Sequence, residues 1–201
     1  MVDDKLSFES HIVSIVSKAK QRIYLIFKSF ITRDIKLMTF AYTTYILPIL
    51  KYCSSVWNPA KLEDIDRIES VQRHFTKRLH GLCLKNYSER LTACSLHSLE
   101  LRCLIADIVL CYKIVHGLVA LNCNDFFTID PNCITRGHNS KIYKSQMGYT
   151  TPTKTNPVRI VPVWSALPSS LVNSASLQQF KHGLELFNFS KFLRRDYDAF
   201  K

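Results

Sequence analysis

The chain has 201 residues, of which 27 are Lys or Arg and 16 are Asp or Glu, so its formal net charge is +11. A chain of this length buries roughly 70% of the surface that its unfolded form exposes, which favours one domain or one bundle with an annex. A hydrophobic content of 47% excludes global disorder, and the small numbers of Gly (5) and Pro (7) favour helices over a many-turned β sandwich.

The positive charge is spread along the whole chain. Residues 1–57 carry 8 bases and 4 acids, residues 58–118 carry 9 and 7, and residues 119–201 carry 10 and 5. A field of this sign attracts phosphate polymers or anionic membrane surfaces, and ordinary solubility charge is the alternative explanation. The even spread favours several small contacts over one basic tail.

The seven cysteines are odd in number, and several lie within helical patterns. Met1–Lys5 does not resemble a signal peptide, so the thiols are expected to be reduced core residues of an intracellular protein in the nucleus or cytoplasm. The apolar stretch from Cys103 to Leu121 contains Asp107 and Lys113, each of which would cost about 2.5–3.5 kcal/mol at a membrane centre. We therefore expect a buried helix here and no membrane partner.

Three amphipathic stretches predict a mainly α fold that starts with a three-helix bundle over residues 1–85. Phe8–Phe30 carries apolar residues at spacings of three and four, which is one helical stripe. The second helix has Thr32 as a candidate cap, a kink at Pro48 and an end at Trp57-Asn58-Pro59.

The third predicted helix, Leu62–Leu79, has acids in its early turns and bases in its late turns. This order complements the helix dipole, which is the structural explanation for it. The late bases also recur four residues apart, so they gather on the face away from the core. The positions expected to face inward are Leu62, Ile65, Ile68, Phe75 and Leu79.

Residues 86–201 predict a second helical region. A long helix is expected from about Leu96 to His116. The stretch at about 121–165 is rich in Asn, Thr, Pro and Lys and is expected to be loop, with a short β-hairpin around Ile142–Tyr149 and Val158–Val163.

Most signatures of enzymes are not found in the sequence. It contains no glycine-rich phosphate loop and no G-x-S-x-G turn. Cys94 with His97, or Cys123 with Cys133 and His138, could suggest zinc, but no C-x2-C pair occurs. We therefore expect no metal, no cofactor and no catalytic residue in this chain. An enzyme with a Cys94 or Cys133 nucleophile is the alternative.

Short motifs occur in a fixed order along nearly the whole chain. They are Asp3-Asp4-Lys5-Leu6-Ser7-Phe8, His11-Ile12, Lys18-Ala19, Pro48-Ile49-Leu50, Tyr52-Cys53-Ser54, Val56-Trp57, Ile68-Glu69, Val71-Gln72-Arg73, Phe75-Thr76-Lys77-Arg78-Leu79, Tyr87, Glu89-Arg90-Leu91, Ser98-Leu99-Glu100, Arg102, Tyr112-Lys113-Ile114, Arg136-Gly137-His138, Arg159, Trp164, Leu167-Pro168 and Phe180-Lys181. In this order they resemble the region after the palm in reverse transcriptases of jockey-like non-LTR (LINE) retrotransposons. Lys51, Ser165 and Asn156-Pro157 depart from the family's pattern, which suggests a diverged copy.

The resemblance implies that the chain is a fragment of an RNA-directed DNA polymerase of a transposable element. Residues 1–85 would be its thumb, which grips the template–primer duplex, and residues 86–201 its C-terminal region. The expected partners are an RNA–DNA or DNA duplex, bound non-specifically, and the missing palm and fingers of the same polyprotein. The catalytic aspartates and their divalent metal belong to the absent palm, so the fragment alone is expected to be inert.

The bases of the third helix are the candidate contacts to nucleic acid, because a basic outer face can follow a phosphate backbone without reading bases. The candidates are Arg73, His74, Lys77, Arg78 and Lys85, with Lys18, Lys20 and Arg22 as second choices. For each of them an ordinary solvated surface base is the alternative. Trp57 and Trp164 are predicted to lie in the core. A helical protein-interaction module with incidental charge is the alternative function.

Overall fold

Amphipathic stretches form helices along most of the chain in the computed structural model, which describes residues 8–59, 61–129, 141–144, 155–195 and 197. The mainly α prediction is confirmed. The described helices are α1 Glu9–Ser29, α2 Ile35–Tyr45, α3 Leu47–Lys51, α4 Ser54–Trp57, α5 Leu62–Lys77, α6 Tyr87–Ala93, α7 Leu99–Val115, α8 Thr155–Ala166, α9 Ser169–Val172 and α10 Leu177–Leu186.

The chain forms two compact units. The first comprises Met1–Cys103 together with Leu193–Lys201, and the second comprises Leu104–Phe192. The domain boundary expected after residue 85 falls inside the first unit, because α6 and the start of α7 hydrogen-bond to α5 in that unit. The described residues that rejoin the first unit, 193–195 and 197, are called the return segment below.

The core of the first unit lies between α1, α2 and α5. The predicted stripe of α1 is buried, with Ala19 and Ile23 fully enclosed. Phe75 of α5 is also fully enclosed, and its ring stacks on that of Tyr42 with centroids 4.6 Å apart. Each large apolar side chain buried in this way stabilises the fold by about 1.5–3 kcal/mol. Leu62 departs from its predicted inward position, since it is 45% exposed at the first turn of α5.

The second predicted helix is three short helices. The break comes at Ile46, before Pro48, which occupies the first turn of α3 where a missing amide hydrogen costs nothing. A second break follows at Cys53, whose φ of +52° is left-handed. The Trp57 indole then donates a hydrogen bond to the Tyr52 carbonyl at 2.7 Å. The predicted kink at Pro48 is therefore wrong in position, because the proline starts a helix instead of interrupting one.

The ends of the neighbouring helices are fixed by local hydrogen bonds. Asp34 caps α2 by accepting from the Leu37 amide at 3.0 Å, so the predicted cap at Thr32 is wrong by two residues. Asn86 and Glu89 form a reciprocal capping box at the start of α6. This box satisfies two amide groups that the first turn would otherwise leave unpaired.

The second unit has a core of its own, built from α7, α8 and α10. Trp164 and Phe180 are fully enclosed, and the Tyr112 ring stacks on Phe180 with centroids 4.1 Å apart. The Tyr112 hydroxyl donates to the Ser174 carbonyl at 2.6 Å. The core positions predicted for Trp57 and Trp164 are confirmed, with exposures of 3% and 0%.

The β-hairpin forms elsewhere than predicted. Strand β1, Phe127–Ile129, pairs antiparallel with β2, Ile142–Lys144. Residues Val158–Val163, expected to be the second strand, belong to α8. Residues 145–149 of the predicted hairpin lie outside the described residues. Apolar spacing alone does not separate a short strand from a buried helix.

The apolar stretch Cys103–Leu121 supplies most of α7, which ends at Val115, and Gly117 follows with a φ of +64°. Asp107 is fully buried within it. Among the described helices, none combines the length and the apolar character that crossing a membrane requires.

Candidate functional site

The solvent-facing side of α5 has two edges with different neighbours. Along one edge, Asp66 and Arg73 contact the return segment. Along the other edge, His74 and Arg78 lie towards α1. Residues 73 and 78 are five apart, which is about 140° around a helix. The predicted set of four bases on one face is therefore divided between two environments.

Arg73 is engaged within the protein. Its guanidinium pairs with Asp66 at 3.1 Å and donates to the Tyr197 hydroxyl at 2.6 Å. It also lies 4.7 Å from the centroid of the Tyr197 ring and 5.6 Å from that of Tyr87. A guanidinium held by a carboxylate and two rings is a structural group, so we leave Arg73 out of the candidate surface.

Carboxylates on α5 and α7 hold the return segment. Asp66 also binds the Arg195 guanidinium at 2.5 Å, and Glu100 accepts the backbone amides of Arg194 and Arg195 at 3.0 and 3.2 Å. Partial burial would raise the pKa of Asp66, but hydrogen bonds from Arg195, Tyr197 and Arg73 lower it below its usual value. The ionised form of Asp66 therefore stabilises this contact, and the stabilisation falls as pH drops through its lowered pKa.

We expect Arg73→Ala to lower the free energy of unfolding by about 1 kcal/mol, because the side chains of the lost ion pair are 35% and 34% exposed and solvent weakens it. The phosphate affinity of the chain should not change. The control is Lys77→Ala, an exposed substitution on the same helix, for which we expect less than about 0.5 kcal/mol. Urea denaturation measures both. Equal stability of the Arg73 variant and the parent would contradict the structural role.

A basic patch is left on the other edge of α5, where His74 and Arg78 adjoin Lys20 of α1. Lys77 lies between the two edges, about 60° around the helix from His74, and is counted as the fourth member of the patch. All four side chains are exposed. The Arg78 guanidinium lies 4.2 Å from the centroid of the Phe27 ring, which fixes it between α1 and α5. The pKa of His74 is lowered, first by partial burial and then by the charges of Arg78 and Lys20. Because surface charges act over about 10 Å, these bases form one local field.

The other predicted bases, Lys85, Lys18 and Arg22, lie outside this patch. Lys85 is exposed in the turn after α5. Lys18 and Arg22 are exposed on α1, but Lys18 is two residues from Lys20 and so lies about 160° around the helix from it. Of the second choices, only Lys20 is therefore assigned to the patch.

Two residues beside the patch were not among the predicted contacts. Arg33 lies 4.9 Å from the Phe27 ring centroid and donates to the carbonyl of Phe27 at 2.9 Å. Tyr24 is 61% exposed on α1, four residues after Lys20. The i, i+4 spacing of Lys20 and Tyr24 is visible in the sequence, whereas the position of Arg33 depends on how the chain leaves α1.

A buried polar cluster lies behind α5 and consists of Tyr42, Glu69, Gln72 and Tyr87. Glu69 is fully buried and accepts the O–H of Tyr87 and the amide of Leu99, the latter at 2.9 Å. Gln72 accepts from the Tyr42 hydroxyl at 3.0 Å and donates to Tyr87 at 3.1 Å. Burial, followed by the charge of Glu69, raises the pKa of Tyr87. The cluster thus joins α2, α5, α6 and α7 and keeps its tyrosines protonated.

Among the described cysteines, Cys94 and Cys111 do not show the features of activated nucleophiles, and Cys133 lies outside the described residues. Burial raises the pKa of Cys94 and of Cys111, which is opposite to the change that makes a thiol reactive. No group of three His, Cys, Asp or Glu side chains within the described ranges is arranged to hold a metal ion. Cys133 and His138 of the zinc alternative lie outside those ranges.

Comparisons with protein-family models, curated proteins and solved structures find no match for this chain. The likeness to retrotransposon reverse transcriptases therefore stays a prediction based on the motifs described above. The function is argued below from the geometry of the basic patch.

Proposed function

We propose that the chain binds nucleic acid without sequence preference, through the basic patch between α1 and α5. One observation carries this proposal. In the part of the chain that the structure describes, Lys20, Lys77 and Arg78 form no ion pair, whereas Arg67, Arg73 and Arg195 are each paired with a carboxylate. Unpaired, clustered positive charge on a rigid pair of helices attracts a phosphate backbone and releases its counterions.

The chemistry of the patch suits phosphate more than base edges. Lys20 and Lys77 are mobile point charges, and Arg78 is the single guanidinium in the patch. Recognition of base edges requires several bidentate donors fixed in a groove. Backbone contacts position a duplex without reading its sequence. Such a role suits the gripping surface of a polymerase better than that of a sequence-specific regulator.

The motif resemblance gives this activity a context. We infer that the chain is the thumb and C-terminal part of a LINE-type reverse transcriptase, acting in the nucleus or cytoplasm on a template–primer duplex. Its partners in that role are the palm and fingers of the same polyprotein, which supply the catalytic aspartates and the metal. The fragment alone binds nucleic acid and does not polymerise.

The test is fluorescence anisotropy with a labelled RNA–DNA duplex in a salt series. The triple variant Lys20→Ala, Lys77→Ala, Arg78→Ala should reduce the slope of log K against log salt by about 1 for each phosphate contact removed. It should also weaken binding at low salt.

The matched control for this test removes three exposed charges outside the patch, with Lys18→Ala, Arg22→Ala and Lys36→Ala. The control should keep a slope close to that of the parent. Equal losses in the two triple variants would show that net charge acts diffusely and would reject the patch. A parent affinity that does not change with salt would reject phosphate binding itself.

A protein-interaction module is the second candidate, and one observation favours it. Exposed apolar side chains line α2 and the turn after α3, namely Leu37, Phe40, Tyr45 and Tyr52, with exposures of 40%, 66%, 53% and 77%. Large exposed apolar side chains can form part of an interface. A defined partner that survives nuclease treatment, and that Phe40→Asp abolishes, would support this candidate over the first.

A further inference from the structure

We propose that Tyr24 is a stacking platform for an unpaired nucleobase at the edge of the basic patch. The inference rests on the proposed nucleic-acid binding and deepens it, because it names the form of nucleic acid that the site prefers. Phosphate contacts alone do not distinguish a single strand from a duplex. An exposed aromatic ring beside them does, since a base paired within a duplex already stacks on its neighbours.

The exposure of Tyr24 is the first observation. Its side chain is 61% exposed, whereas Phe27, one turn further along the same helix, is 5% exposed and covered by Arg78. No described side chain hydrogen-bonds to Tyr24 or stacks on it. Tyr24 is thus a large exposed ring on a helix whose Phe27 ring is buried, and it has a face available for a ligand.

The bases around Tyr24 are the second observation. Lys20, Tyr24 and Lys28 follow each other at intervals of four, so they lie in one line about 12 Å long on the surface of α1. The only acid of α1 is Glu9, which is about 22 Å from Tyr24 along the helix axis. His74 and Arg78 of α5 adjoin the same line through Lys20. The ring is thus placed among positive charges with no carboxylate on its own helix nearby.

A groove along α1 is the third observation. It has a volume of about 830 Å³, and its walls include Val13, Ser17, Lys20, Gln21, Tyr24 and Arg67. Most of the exposed lining is apolar, and Lys20 and Gln21 are polar groups between the apolar ones. A nucleobase has flat π faces for stacking and polar edges, and with a charged phosphate at its side it matches this combination of a ring, a groove and lysines.

The positive charge beside Tyr24 indicates which kind of ligand fits the groove. An uncharged apolar helix would leave Lys20 and Lys28 without a counter-charge, and a second copy of this chain would bring a further charge of +11 to the surface. A polyanion with π faces satisfies the lysines and the ring together. Base–aromatic stacking is tolerant of sequence, which agrees with non-specific binding.

The experiment compares two labelled single strands of equal length by fluorescence anisotropy. One is oligothymidylate, and the other carries the same phosphates on abasic sugars. For the parent we expect tighter binding to oligothymidylate. Tyr24→Ala should weaken binding to oligothymidylate by about 5- to 150-fold and leave binding to the abasic strand unchanged. Tyr24→Phe, which keeps the ring, should retain the preference. Tyr45→Ala, which removes a similarly exposed ring on α2, is the control.

Each outcome decides one of the two claims. Equal binding of both strands by the parent, or equal losses on both strands in Tyr24→Ala, would overturn stacking while leaving phosphate binding in place. Failure of the parent to bind either strand at low salt would overturn the proposed function itself. Circular dichroism of Tyr24→Ala should match the parent, since the side chain is exposed, so that a loss of affinity is not a loss of fold.

Discussion

Glu69→Ala is expected to lower the free energy of unfolding of the first unit by about 3–5 kcal/mol. The carboxylate is fully buried and accepts hydrogen bonds from the Tyr87 hydroxyl and the Leu99 amide. Its removal leaves both donors inside the protein without that acceptor. A buried donor without a partner costs about 1–3 kcal/mol, and the lost volume adds to this.

Urea denaturation followed by circular dichroism measures this effect. Glu69→Gln should lower the free energy of unfolding less than Glu69→Ala does, because the amide oxygen can still accept one hydrogen bond. Glu63→Ala, an exposed glutamate on the first turn of the same helix, is the control and should lose less than about 1 kcal/mol. If Glu69→Ala and Glu63→Ala were equally stable, the buried polar cluster would not hold the unit together.

Trp164→Ala should lower the free energy of unfolding of the second unit by a similar amount, about 3–5 kcal/mol. The indole is fully enclosed, and its ring centroid is 6.2 Å from that of Phe180. Its removal leaves a cavity between α8 and α10 that the surrounding helices fill only in part. The cost therefore includes the lost transfer free energy of the ring and the cavity itself.

Thermal unfolding measures this prediction, and the expected fall in midpoint is roughly 6–20 °C for a chain of this size. Trp164→Phe keeps an aromatic ring and should lose less than half as much. Trp57 remains in this variant as a fluorescent reporter of the first unit. A midpoint within about 2 °C of the parent would show that Trp164 is not a core residue.

Helices with long uninterrupted apolar stripes could be predicted from the sequence. Glu9–Ser29 and Leu99–Val115 differ from the predicted bounds by only a few residues, because local spacing alone determines which face is buried. The breaks between Ile35 and Trp57 could not be predicted in the same way. Its stripe is continuous, but the chain turns at Ile46 and at Cys53, and neither residue is a usual turn former.

The candidate site was only partly predictable. His74 and Arg78 could be placed on one face by their spacing of four, and in the structure both adjoin α1. Lys77 has the same spacing from Arg73. Arg73 could not be separated from them, because its partner Tyr197 is 124 residues away in sequence. Spacing within a helix reports which residues share a face, and it cannot report what covers that face.

Glu69 shows the same limit for a buried residue. In the sequence it belongs to the acidic early part of α5, where an exposed carboxylate that favours the dipole is the natural interpretation. Its partners Tyr87 and Leu99 come from α6 and α7, 18 and 30 residues further on. Both partners, and Glu69 itself, lie in motifs that carry the family resemblance, so part of that resemblance coincides with groups that join helices of the first unit.

The return segment has a consequence for the order in which the protein is made. Its residues complete the first unit, yet they follow Cys103 by roughly 90 residues, which a ribosome adds in about 5–20 s. During that interval α5 can already pack on α1, but Asp66 and Arg73 have not yet formed their contacts with Arg195 and Tyr197. For those seconds the nascent chain exposes both edges of α5, and the return segment covers the edge of Asp66 and Arg73 once it has been added.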